Sequence, residues 1–140
     1  MTFQATFEKH LRAIRERDLS ALRETLPAEE GEIVVVTSDG RLVRSTEEFL
    51  DMHRQWFESS TWSINGEVLS IRESKDLAVA VLKLDYFDRP ADKPPLHETS
   101  YLTLAFAERK GRWEMVFDQN TLCKYLGAGD KLYRPRITCQ

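Results

Sequence analysis

The chain has 140 residues, of which 41% are hydrophobic and 31% charged, with a formal net charge of -3. That is the balance of one folded domain, and it excludes a disordered chain or one built on long membrane-spanning runs. The slight negative charge argues against a general electrostatic grip on nucleic acid or anionic lipid, leaving room only for a local patch, so no nucleic acid and no membrane is expected as a partner. Two cysteines, Cys123 and Cys139, are too few for a disulfide framework. They could pair with each other, although free thiols are the simpler reading in a reducing compartment. The start of the chain has no basic stretch followed by an apolar run, which points to a cytoplasmic protein.

Phe3, Phe7, Leu11 and Ile14 recur at helical spacing, with His10 on the same stripe and charged residues between them. Asp18 fits the N-cap of a second, shorter helix over 19–26, closed by Pro27. Residues 33–36 and 42–43 flank Asp39-Gly40, a pair that predicts a two-residue hairpin turn with both φ angles positive. Ser45 and Glu48 have capping-box spacing and open a third helix. Its apolar stripe is Phe49, Met52, His53, Trp56 and Phe57.

Four long strands follow, over 62–73, 77–88, 96–109 and 112–121. The segment RPADKPP at 89–95 is a rigid loop, because prolines cannot donate to a central ladder. The order predicts an α+β fold, a curved antiparallel sheet wrapped around three helices. Residues 1–126 form the domain and 127–140 a tail.

Side chains alternate across a strand, so parity sorts the sheet faces. The even positions of 77–88 are the more continuously apolar, and are assigned to the helices. With no bulge, the helix-facing set is Leu82, Leu84, Tyr86, Ser100, Leu102, Leu104, Val116, Asp118 and Asn120. His53 and Trp56 face them from the third helix and His10 from the first. An apolar floor with a few convergent polar groups is the form of a small-molecule site. Asp118, Tyr86 and His53 are the candidate catalytic groups. An apolar pocket would raise the Asp118 pKa toward that of a useful acid or base. Asn120, Ser100, Trp56, Leu82, Leu84, Leu102, Leu104, Val116 and His10 are candidate ligand contacts. Each has a plainer reading: Asp118 closing a strand end, His53 a core histidine, Trp56 a pocket wall.

The opposite face would carry Tyr101, Trp113, Met115 and Phe117, with Val79 and Val81 beside them. No helix is left to cover it, which suggests a homodimer through that face. The three histidines show no metal-ligand spacing, and no Walker, GxSxG or HExxH motif is present. Neither a metal nor a cofactor is expected.

The hairpin VVVTSDGRLVRS, the helix start STEEFL and the final strand GRWEMVFDQNT resemble the NTF2-like, or SnoaL-like, superfamily. The resemblance covers residues 3–122 and implies a cone-shaped α+β fold. That superfamily holds ketosteroid isomerase, polyketide cyclases, dehydratases, dioxygenase small subunits and non-catalytic modules, so the fold leaves the chemistry open. Ketosteroid isomerases place a tyrosine on the first helix, and this first helix has none. The resemblance implies a small-molecule-binding protein, as a cofactor-independent isomerase, cyclase or dehydratase on a small apolar carbonyl compound. The alternative is a non-catalytic ligand-binding or dimerisation module.

Overall fold

The structure, a computed structural model, describes residues 1–28 and 33–123. The tail expected at 127–140, with Cys139, lies outside the described residues. Cys123 is disulfide-bonded, in place of the free thiol favoured above.

Three helices precede the long strands: α1 (Phe3–Arg15), α2 (Leu19–Arg23) and α3 (Thr46–Phe57). The Thr2 hydroxyl caps α1 by accepting from Ala5 N. Arg17 ends that helix at φ 59°, and Asp18 N then donates to Ala13 O. This is the left-handed helix stop usually given to glycine. The strain is offset by what the Arg17 side chain reaches. Its guanidinium lies 3.8 Å from the Trp62 ring centroid, and its Nε donates to Ser59 O at 3.0 Å. Asp18 caps α2 as expected, accepting from Ala21 N. That helix is shorter than 19–26, and turns carry the chain on to Leu26. Ser45 caps α3 through Glu48 N, with Glu47 and Glu48 in its first turn, where the helix dipole favours them.

Between α2 and α3 lie β1 (Val34–Val36) and β2 (Leu42–Val43). Their loop is Ser38, Asp39 and Gly40, one residue longer than expected, and only Gly40 has positive φ, at 88°. Thr37 explains the difference. Its N–H donates to Arg41 O, and its hydroxyl oxygen accepts from Arg41 N, which closes a wider loop.

The long strands are β3 (Trp62–Glu73), β4 (Leu77–Asp88), β5 (Leu96–Arg109) and β6 (Arg112–Leu122). With the hairpin they make one six-stranded sheet in the order β2-β1-β6-β5-β4-β3. The meander from β3 to β6 is antiparallel, whereas β1 runs parallel to β6, with Val35 opposite Asp118. The fold is therefore α+β, an unclosed curved sheet around three helices.

Pairing confirms the helix-facing parity of β4 and β5. Leu82 stands opposite Leu102, Ala80 opposite Leu104 and Ala78 opposite Phe106, all buried. On β6 a bulge intervenes. Ala105 pairs with Phe117, but Phe106 pairs with Met115, so Val116 is an extra residue. Parity holds for Asp118 and Asn120 and inverts before them. Met115 and Trp113 therefore turn inward, at 0% and 8% exposure. Trp113 packs edge to face on Phe3, in a core with Phe7 and Phe106. The outer-face patch drawn from the sequence loses Trp113 and Met115 for this reason, and keeps Tyr101 and Phe117.

The segment after α2 is tied to β6. Met115 N donates to Thr25 O, and Arg112 donates to Glu24 O and Leu26 O. Buried Glu114 accepts from Arg109 and Arg112, which neutralise a carboxylate that could not otherwise stay buried.

Candidate active site

The helices leave the sheet uncovered at one end, where a cavity of about 280 Å³ opens. Helix α3 supplies Phe49, Met52, His53 and Trp56, and α1 supplies Ile14. The sheet supplies Ile64, Leu84, Leu102, Asp118 and Asn120, and the β1 end supplies Val35 to Ser38. A second recess of about 210 Å³ adjoins it, lined by Tyr86, Glu98, Ser100 and Leu122. Ser38, Trp56, Ile64, Leu84 and Asn120 border both, so the two are parts of one site; the recess toward the ends of β4, β5 and β6 is termed the mouth and the cavity holding Asp118 and His53 the inner chamber.

Asp118 is the acidic group of the inner chamber. Its neighbours across the sheet are Leu104 on one side and Val35 on the other. Its side chain keeps some surface open to the cavity but is otherwise enclosed by apolar groups. Burial alone pushes its carboxyl up to about 7, with no cation beside it among the described residues to oppose the shift. Asn120 lies two residues on, and its Oδ1 is buried without a hydrogen-bond partner.

His53 is fixed by its own helix. Its Nδ1 lies 2.8 Å from Phe49 O, one turn back, where only a protonated nitrogen can donate. The ring leans on Phe49 at 4.0 Å between centroids and meets Trp56 and Phe57 edge-on. Burial pulls its pKa down to about 4, so it is neutral at physiological pH with its proton on Nδ1.

His10 does not reach the cavity. It is fully buried behind it, against Phe106. Its Nδ1 lies 2.7 Å from Thr25 Oγ1, whose own hydrogen goes to Leu22 O. His10 therefore donates from Nδ1, and its buried Nε2 has no partner. Burial, and then the nearby His53, lower its pKa to about 3.

Tyr86 stands in the mouth, not in the chamber with Asp118 and His53. Its ring stacks against Trp62, which lies on Trp56 with centroids 4.0 Å apart. Burial first, and then the nearby Asp88 and Glu98 carboxylates, raise its pKa against the opposing influence of Trp56 and Arg17. Ser100 is in the mouth as well. Leu84 and Leu102 line the chamber, while Leu82 and Leu104 are sealed in the core behind it. Val116, displaced by the bulge, lines neither part.

The sequence reading missed the wall formed by Val35 to Ser38, and Glu98 in the mouth. The run Val34–Val36 carried a signal, because a short continuous apolar stretch fits a fully buried strand. Its parallel partner was not legible.

A family profile for the SnoaL-like domain matches residues 4–120, and the chain belongs to that family. No curated protein matches it by sequence. Among solved structures, one from Streptomyces avermitilis, provisionally assigned as a dehydratase of the NTF2-like family, superposes with a TM-score of 0.69 at 13% identity, covering 85% of this chain and 92% of that one. One from Shewanella frigidimarina, provisionally assigned as a ketosteroid isomerase, gives 0.69 at 14% identity, over 84% and 92%. A third, from Thiobacillus denitrificans, provisionally assigned as a calcium/calmodulin-dependent protein kinase type II association domain, gives 0.73 at 10% identity, over 88% and 96%. At these identities the likeness shows the fold.

Proposed function

We propose that the protein is a cofactor-independent acid–base enzyme, an isomerase, cyclase or dehydratase acting on a small, largely apolar carbonyl compound. The observation that carries this reading is Asp118, a carboxyl in a largely apolar cavity, with no cation beside it among the described residues and poised near neutral pH. A group with its pKa near the working pH is the effective proton carrier. Asp118 removes the proton next to the carbonyl and returns it at a second carbon or to a leaving oxygen. The Asn120 amide N–H, in the same cavity, polarises the carbonyl in this reading. The chamber is at the small end for ligand sites, which suits a compact substrate. The names given to the Streptomyces and Shewanella structures agree with this class.

Hydrogen–deuterium exchange next to the carbonyl of decalone, followed by NMR in D₂O, tests the reading. Wild type should catalyse the exchange, and Asp118→Asn should slow it by about 10²–10⁴-fold. Decalone bound without exchange would favour a non-catalytic binding module instead.

We also propose a homodimer through the outer sheet face. Tyr101, Phe117, Val79 and Val81 are only partly buried there. A stable pair needs about 800 Å² from each partner, which a face of four long strands can supply.

A further inference from the structure

The polar atoms of the inner chamber are unevenly divided between donors and acceptors. His53 spends its one hydrogen on Phe49 O, a bond that holds the imidazole between the rings of Phe49, Trp56 and Phe57. Its remaining nitrogen, Nε2, can only accept. Asp118, when ionised, can only accept. The Thr37 hydroxyl donates to the Asp39 carboxylate and is not available. With Asp118 ionised, the donors left among the lining side chains are the Asn120 amide, the Trp56 indole N–H and the Ser38 hydroxyl. Those serve a carbonyl, but the helix wall at His53 calls for the opposite polarity.

We propose that the ligand of this cavity is uncharged and carries a hydroxyl group, whose hydrogen is accepted by His53 Nε2. This rests on the reading of the cavity as a site for a small carbonyl compound, and narrows that class to hydroxy-carbonyl compounds. A site that accepts from a hydroxyl discriminates against analogues without one, because the acceptor facing the ligand is then left unpaired in a largely apolar cavity. An ammonium group is the other donor a ligand could bring. The burial that keeps His53 neutral also penalises a cationic ligand at that wall, enclosed by Phe49, Trp56, Leu84 and Leu102, and Asp118, the carboxyl of this cavity that could offset such a charge, is itself held in its neutral form up to about pH 7.

The test uses four matched probes: a hydroxydecalone, the parent decalone, the methyl ether and the aminodecalone. Dissociation constants come from NMR titration, and the ¹⁵N shift of His53 Nε2 is followed in each. The hydroxy ketone should bind at least tenfold more tightly than the other three. It alone should move the Nε2 signal in the direction of a nitrogen accepting a hydrogen bond. His53→Phe should erase that preference while the ketones still bind, and the methyl signals of Leu84 and Leu102 would report an intact chamber. Ketone or ether binding as tightly as the alcohol would overturn the hydroxyl assignment and leave the carbonyl reading standing. Tighter binding of the amine would overturn the claim that the ligand is uncharged. If none of the four perturbs the chamber, the carbonyl reading fails and the hydroxyl assignment with it.

Discussion

Trp113 and Phe3 meet edge to face, with ring centroids 5.6 Å apart and planes at 63°. The contact joins the start of the last strand to the start of the first helix. It exists because Val116 is bulged and inverts the parity of the residues before it. Trp113→Ala should therefore cost about 3–5 kcal/mol and Met115→Ala about 2–5 kcal/mol, as for large core side chains. Urea unfolding measures both. Wild-type stability with a changed oligomeric mass would return these residues to the surface.

Asp118 makes a second prediction, about stability. The folded carboxyl holds its proton up to about pH 7, whereas the unfolded one releases it near pH 4. Its cost to the fold is absent below pH 4, grows between 4 and 7, and is complete above 7. Asp118→Asn should match wild type at pH 4. At pH 8 it should be more stable by roughly 2–4 kcal/mol. Equal stability of the two proteins at pH 8 would mean that the carboxyl is not penalised by burial.

The two histidines act in the opposite sense. Both are neutral in the fold, with pKa values of about 3 for His10 and about 4 for His53. Unfolded histidines take up protons below about 6.5. Their stabilisation is complete above that pH and is lost as the pH falls through it toward 4 and 3. His10→Gln removes one titrating group. Whatever it costs in absolute terms, the slope of stability against pH between 4 and 6 should fall by about 1.4 kcal/mol per unit. Denaturation midpoints at several acidic pH values give that slope. An unchanged slope would show that His10 titrates alike in both states.

Much of this was legible from the residues. Hydrophobic period and turn chemistry placed the long strands and the caps at Asp18 and Ser45, because those signals are local. Asp118 and Asn120 were assigned to the helix face by parity, and they lie there. Parity alone puts Trp113 and Met115 on the outer face, whereas they lie inside, since a bulge is set by cross-strand pairing and leaves little mark in one strand. Parity also groups Tyr86 with Asp118, although Tyr86 lines the adjoining recess, because it gives a face and not a position along the curved sheet. The wall from Val35 to Ser38 depended on a partner more than eighty residues away, beyond the range of local patterning.

The outer face carries a further expectation. Phe117 is opposite Ala105 on one side and Val34 on the other, at the middle of that surface. Phe117→Glu should convert a dimer to a monomer in light scattering, because two unpaired carboxylates would meet in an apolar contact. A wild-type mass near 16 kDa at tens of micromolar would remove the dimer.

The parallel seam between β1 and β6 bears on how the protein is made. Each antiparallel pairing from β3 to β6 joins strands adjacent in the sequence, so these contacts can zip up one after another. The seam instead joins Val34 to Phe117 across most of the domain, and it waits for the final strand. During synthesis the chamber must therefore remain open on the hairpin side until the ribosome has released β6. Pulsed amide-exchange labelling during refolding should show Leu82 and Leu104 protected before Val35. A growing chain, or one truncated before residue 117, would then have a floor and a helix wall but no closed cavity. The ligand proposed above could stabilise the finished protein, but it could not serve as a template for the nascent one.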